Sequence, residues 1–422
     1  MTDVLGVASY LLLPLIGIGI CSLEVVRRER LPVRLAIATA AGALVAGLTL
    51  ALLSLLHIEW SRTALLVILG AVTIVGIWRV RKSSHPSVAE RFATNAFALA
   101  GTIIAWALTL YATLTARESC GDLQFTWGPK AIRFFRAGGL DPQVLRTWPQ
   151  LTIDYPPLQT LLFSWSNLVS HQFSWWAAVL LSPLFLAITL ALLRSWTRDD
   201  VATLLIASTL TYTYALAYPA GCAEPLLLLF EVIVIGALTY VDDPRAQTLY
   251  VTLGLAGAAW TKLEGSTFAV AAFLTILLVQ RQPRRAFLVV IPAALLMASW
   301  MGFVFYNDLL WMYRGAALPM YPAALPIVLR TLAKVAKFEL YWLPWIVPAV
   351  VIALGNVRRA LAPLSIALLT TCATIYFYLH YPDPTWWIES SSTRVILTPL
   401  AALLIAAAAA HAPLREARDV VC

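Results

Sequence analysis

Along the chain, long apolar runs alternate with short polar interruptions, and the interruptions are rich in arginine. Apolar runs fall near 5–23, 35–56, 64–78, 92–115, 175–193, 201–218 and 223–240, then near 249–260, 266–279, 286–304, 341–354, 361–378 and 395–410. At ~1.5 Å per helical residue, such runs span or nearly span a hydrocarbon layer of ~30 Å. Lipid gives backbone groups no hydrogen-bond partner, so the pattern predicts helices. The predicted fold class is therefore an all-α polytopic membrane protein of about thirteen transmembrane helices. A three-helix membrane segment (1–91) is expected to precede a membrane core (92–422), with a large extracytoplasmic loop at 116–172, outer loops at 305–340 and 379–394, and no soluble C-terminal domain.

Two runs, 249–260 and 266–279, are short for a crossing and flank "TKLEG", which predicts that Lys262 and Glu264 sit below the outer surface in a protein-lined cavity. A re-entrant hairpin is the competing expectation. The segment "LQTLLFSWSNLVS" (158–170) is too short to cross and is expected to lie along the outer interface.

Composition agrees with this pattern: 60% of the 422 residues are hydrophobic, 12% are charged, and mean hydropathy is +0.79. The longest non-apolar interval, 116–155, is too short for an independent globular core, so any chemistry must be built from loops on a helical bundle. The net charge of +8 does not imply nucleic acid, because most basic residues flank apolar runs in clusters such as "VRRER", "RVRK" and "RQPRR". With the first run starting outside, eighteen of the 30 Lys and Arg residues fall on inner connections, which predicts an extracytoplasmic N-terminus and a cytoplasmic C-terminus in a cytoplasmic (inner) membrane. The first run lacks the basic start of a cleavable signal and is expected to be retained. The five cysteines show no metal-ligand spacing, though Cys120 and Cys222 share the outer face in this topology and could pair there.

The chemistry-bearing residues concentrate on that outer face. In "ESCGDLQFTWGPKAIRFFRAGG" (118–139), Pro129 suits a first helical turn and Gly138 with Gly139 a stop. Lys130, Arg133 and Arg136 recur every third residue, as in a helix that turns its bases toward phosphates at an interface, or merely snorkels to headgroups. Asp122 is placed to act as a general base on a bound hydroxyl, with Glu118 as the second candidate. The rigid segment "IDYPPL" offers Asp154 and Tyr155 as one wall of a cleft that could stack on a sugar ring. Glu224 opens a helix and Glu231 lies two turns deeper, where a carboxylate calls for a partner. If a divalent ion (Mg or Mn) is used, Asp122 and Glu224 are the oxygen ligands that could share it. The last outer loop gathers His380, Asp383, Glu389, Trp386, Trp387 and Arg394; the tryptophans fit an interfacial belt or a substrate cleft, and Arg394 suits bidentate contact with phosphate. No Ser-His-acid triad, HExxH, P-loop or Rossmann glycine pattern stands out.

Together, "GDLQFTWGPKAIRFF", "DYPPL", "AEPLLLLF", "GAAWTKLEG" and "WWIESSSTRVILTPL" resemble, in that order, motifs of bacterial relatives of the protein O-mannosyltransferase and aminoarabinose-transferase group, integral membrane glycosyltransferases of the type C fold. The resemblance covers roughly 116–410. It implies transfer of a sugar from a polyprenyl-phosphate donor to a cell-envelope glycan, lipid or protein, with inversion. It also implies Asp122 as base, Lys262 and Arg394 toward the donor phosphate, and Glu224 as the acid opening the later outer helix. Here three extra spans precede the first large loop, and its acids Glu118 and Asp122 are not adjacent as in many members. The rival expectations are a transporter or flippase of a lipid-linked sugar, which needs a path between both faces, and a non-catalytic assembly subunit.

Overall fold

In a computed structural model, residues 2–82, 94–116, 121–146, 155–216, 221–309, 320–336, 343–381 and 383–411 are described. All regular structure among them is helical. In chain order the main helices are α1 (Thr2–Leu11), α2 (Leu31–Leu55), α3 (Arg62–Lys82), α4 (Ala96–Thr115), α5 (Gly128–Ala137) and α6 (Leu158–Ser170). They continue with α7 (Trp175–Thr197), α8 (Asp200–Leu216), α9 (Glu224–Tyr240), α10 (Pro244–Thr261), α11 (Leu263–Leu274) and α12 (Pro283–Tyr306). The last five are α13 (Leu325–Lys334), α14 (Leu343–Gly355), α15 (Val357–Tyr378), α16 (Pro384–Val395) and α17 (Leu397–His411).

Helical turns occupy the described part of each predicted apolar run. By length and composition, seven segments among the described residues can cross a membrane: Asp3–Ser22, α2, α3, α4, α7, α12 and α15. The pair α16 and α17, bent by 44° at a short break, makes an eighth if it is one broken span. Helices α8, α9, α10, α11 and α14 fall outside that set.

Burial sorts these helices. Glu224 through Leu238 of α9 are buried without interruption, and α9 packs against α7, α10, α15 and α17, so it is the axis of the bundle. By contrast α3, α4, α12 and α15 turn apolar side chains such as Val67, Ile104, Leu295 and Leu368 outward, as helices facing hydrocarbon do.

The segment 158–170, expected along the outer interface, is enclosed by protein. It is helix α6, and all of its residues are buried. The cause is coverage by elements distant in sequence: α1, α2 and α5 pack on it. Two of its polar side chains are met there, Trp165 Nε1 donating to the Ser9 carbonyl (3.2 Å) and Ser166 Oγ to the Gly6 carbonyl (3.1 Å). The N-terminal helices thus share one apolar core with the later ones.

Candidate active site

The polar centre is assembled at helix ends and breaks. Helix α5 forms as its sequence predicts, with Pro129 in the first turn and Gly138 at the C-cap in the left-handed conformation (φ 67°), its N–H and that of Gly139 satisfying the last carbonyls. A π-helical turn, Leu123–Trp127, joins Asp122 to α5. Glu224 is the first residue of α9, followed by Pro225, a position where the helix dipole favours an acid. Lys262 is the single extended residue (φ −157°, ψ 159°) between α10 and α11. That break drives its side chain into the bundle, where it is 3% exposed. Gly265 makes the junction possible: a Cβ there would lie 1.9 Å from the Ala258 carbonyl oxygen. Arg394 lies in the last turn of α16, just before the bend into α17.

These four motifs converge on one ion-pair relay. Arg394 Nη1 donates to Asp122 Oδ2 at 2.5 Å and lies 4.0 Å from Glu224 Oε1. Lys262 Nζ lies 2.9 Å from Glu224 Oε1 and 2.9 Å from Glu264 Oε1. The Tyr155 ring covers the Lys262 ammonium at 5.7 Å and packs on Trp127 with ring centroids 5.2 Å apart. Three carboxylates therefore share two cations, leaving the relay one negative charge in excess. Glu224 Oε2 and Glu264 Oε2 are buried without a hydrogen-bond donor among the described residues. Such oxygens are costly when unmet, so the relay is built to receive donors such as hydroxyl groups.

A cavity of about 100 Å³ opens beside the relay, lined by Tyr155, Glu264, Thr267, Thr370, Thr374 and Thr398 with Leu263 and Phe377. One turn-pair deeper on α9, both oxygens of buried Glu231 accept from the Thr398 hydroxyl at 2.9 Å. Tyr378 OH meets Ser391 Oγ at 2.9 Å.

Asp122, Tyr155, Glu224, Lys262, Glu264 and Arg394 are thus brought together, from segments up to 272 positions apart. His380 and Trp387 lie in an adjoining aromatic group: Tyr381 stacks on Trp387 at 4.3 Å, His380 meets Tyr376 edge-on, and Phe377 connects the group to the cavity. Lys130 lies on the inward side of α5. It is 1% exposed, its ammonium 5.7 Å from the Trp127 ring, whereas Arg136 is exposed, so the three basic residues of α5 do not form one open stripe. Asp383 caps α16 by accepting from the Thr385 N–H, and Glu389 pairs with Lys334 of α13 at 3.1 Å, so neither joins the relay. Glu118 and Asp154 lie outside the described residues.

Asp122 and Glu224, the pair considered for a divalent ion, both face Arg394 Nη1, at 2.5 and 4.0 Å. Among the described residues no group of three or more His, Cys, Asp and Glu side chains could hold a metal. Cys222, just ahead of Glu224, is disulfide-bonded to a partner outside the described residues, whereas Cys21 and Cys372 are free. The threonine lining was missed in the sequence, although Thr370 and Thr374 stand one helical turn apart and thereby share a face. Comparison with family models, curated proteins and solved structures finds no match to this chain.

Proposed function

We propose that this chain is an integral membrane glycosyltransferase that moves a sugar from a polyprenyl-phosphate donor to a cell-envelope glycan, lipid or protein. In this reading the thirteen apolar runs all cross or enter the cytoplasmic membrane, with the relay at its outer face. The observation that carries it is the convergence of Asp122, Arg394, Glu224, Lys262 and Glu264 on one partly open relay beside a threonine-lined cavity.

The chemistry is a single displacement. The acceptor hydroxyl oxygen bonds to the anomeric carbon on the face opposite the phosphate. The bond from that carbon to the phosphate oxygen breaks, and its electron pair leaves with the polyprenyl phosphate, which inverts the sugar. The hydroxyl proton passes to the Asp122 carboxylate. Arg394 and Lys262 supply fixed positive charge for the departing phosphate. Because Arg394 holds Asp122 in the structure, a donor phosphate that recruits Arg394 releases the carboxylate, so donor binding and base activation are coupled. Free oxygens of Glu224 and Glu264 accept from sugar hydroxyls.

The test is transfer of radiolabelled sugar from synthetic polyprenyl-phosphate donors to envelope fractions, comparing wild type with Asp122→Asn at matched expression. Product from wild type and none from the variant is expected; undiminished product from Asp122→Asn removes the assigned base. The buried Glu231, deeper along α9, is the feature that favours a flippase for a lipid-linked sugar. Movement of labelled carrier lipid across vesicles by the purified protein, without any transfer product, would select that reading.

A further inference from the structure

Helix α9 is buried without interruption from Glu224 to Leu238, and inside that run stands Glu231, a carboxyl group that the transfer chemistry does not use. It is 1% exposed. Two helical turns, roughly 10 Å at ~1.5 Å per residue, separate it from Glu224, so it lies below the relay in the body of the bundle. Both of its oxygens lie 2.9 Å from one atom, Oγ1 of Thr398 in the first turn of α17. No other side chain and no backbone N–H donates to it among the described residues.

A threonine hydroxyl carries one proton. An ionised Glu231 would spread that proton over two oxygens and hold its charge away from water, which is costly without a cation of its own. The charged groups that face it are Glu264, Lys262 and Glu224. Lys262 is already shared by those two carboxylates at 2.9 Å from each, and Arg394 is bound to Asp122. The cavity wall offers no second donor either: Thr370 spends its hydroxyl proton on the Ile366 carbonyl (2.7 Å) and Thr374 on the Thr370 carbonyl (2.9 Å). A proton on Glu231 resolves the arrangement. The carboxyl O–H then donates to Thr398 Oγ1 while the Thr398 O–H donates to the other carboxyl oxygen, and each proton has its own acceptor.

We propose that Glu231 is a proton-binding site, carried as a neutral carboxylic acid closed on Thr398 and exchanging its proton through the cavity that Thr398 lines. An ionisable group at this depth is a functional site by default, and here the ligand is the proton itself. Its presence decides what Thr398 can do. Once Glu231 donates to the threonine oxygen, the threonine O–H is free to turn to an acceptor in the cavity; an ionised Glu231 would hold that O–H inward. The site stands under either the transferase or the flippase reading, because it rests on the Glu231–Thr398 pair alone.

Infrared difference spectra of the purified full-length protein in lipid nanodiscs at neutral pH, wild type minus Glu231→Gln, test it. A glutamine amide keeps both bonds of the pair, its N–H donating to Thr398 Oγ1 and its carbonyl accepting, so the variant is expected to keep the wild-type thermal midpoint. The expected spectrum shows one carboxylic C=O stretch that the variant loses and that shifts down in deuterated water. Loss of carboxylate stretches in its place overturns the proposal. Diisopropylcarbodiimide, a compact apolar reagent that consumes protonated carboxyls, gives a reading on wild type alone, whether or not the variant folds. The carboxyl oxygen bonds to the central carbon of the reagent, the proton goes to one nitrogen, and the acyl group then migrates to nitrogen as a stable N-acylurea. Peptide mass spectrometry should find that adduct at least about tenfold more abundant on Glu231 than on Glu224, whose charge Lys262 holds. An adduct no more abundant on Glu231 than on Glu224 overturns the proposal, as does protection of Glu231 by sodium, which would put a metal cation in the proton's place.

Discussion

Replacing Lys262 with methionine tests whether the relay is an electrostatic unit or a set of incidental contacts. The Lys262 ammonium is the shared partner of Glu224 and Glu264, at 2.9 Å from each. Side-chain exposure is 4% for Lys262, 5% for Glu224 and 28% for Glu264. Removing one partner of a buried pair strands the other charge, at a cost of ~3–5 kcal/mol. The more exposed Glu264 adds at most ~1 kcal/mol. Arg394, hydrogen-bonded to Asp122 and 4.0 Å from Glu224, offsets only part of that loss. A loss of ~3–5 kcal/mol is a large share of a stability of ~5–15 kcal/mol. Unfolding titrated with a denaturing detergent in mixed micelles should show Lys262→Met strongly destabilised. Glu224→Gln alone should lose ~1.5–3 kcal/mol, the worth of a hydrogen bond to a charged group. The double variant Lys262→Met/Glu224→Gln should recover at least half of the Lys262→Met loss, because no buried charge is stranded, while remaining inactive in sugar transfer. A Lys262→Met protein within ~0.5 kcal/mol of wild type, the range of ordinary surface changes, would refute the reasoning. So would a double variant no more stable than Lys262→Met.

Other expectations follow from the same geometry. Arg394→Ala should lower the transfer rate by ~10²–10³-fold, as loss of a preorganised donor does, and Arg394→Lys should restore it only in part because an ammonium cannot bridge Asp122 and Glu224 as the planar guanidinium does; full activity in Arg394→Lys would count against the bridge. Gly265→Ala should force α10 and α11 apart, because the Ala258 carbonyl stands 1.9 Å from the new Cβ, and should cost both stability and transfer; a thermal midpoint equal to wild type would sink this expectation. Burial raises the Glu29 carboxyl above its unfolded value, so its contribution is fully present below the unfolded pKa of ~4.3 and is lost as pH rises through the folded one. Stability profiles against pH should accordingly fall less steeply above ~4.3 in Glu29→Gln than in wild type, and superimposable profiles would exclude the effect.

What the sequence determined by itself is the set of local facts. Apolar run lengths announced the helices, because lipid-facing backbone has no other way to satisfy its hydrogen bonds. Pro129 and Gly138 bounded α5, and the short runs around "TKLEG" announced a break at Lys262, since caps and breaks depend only on neighbours in the chain. The identity of the relay residues was also legible, because a charge near membrane depth is rare enough to stand out. Their pairing was not. Whether Arg394 reaches Asp122 across 272 positions, or Glu224 meets Lys262 across 38, is decided by how α9 packs against α10 and how α16 bends into α17. The same packing buried α6 and Lys130, whose sequences read equally well as interfacial, because burial is conferred by helices that arrive from elsewhere in the chain. Periodicity shows which face of a helix is apolar; only the tertiary structure decides whether lipid, water or another helix covers it.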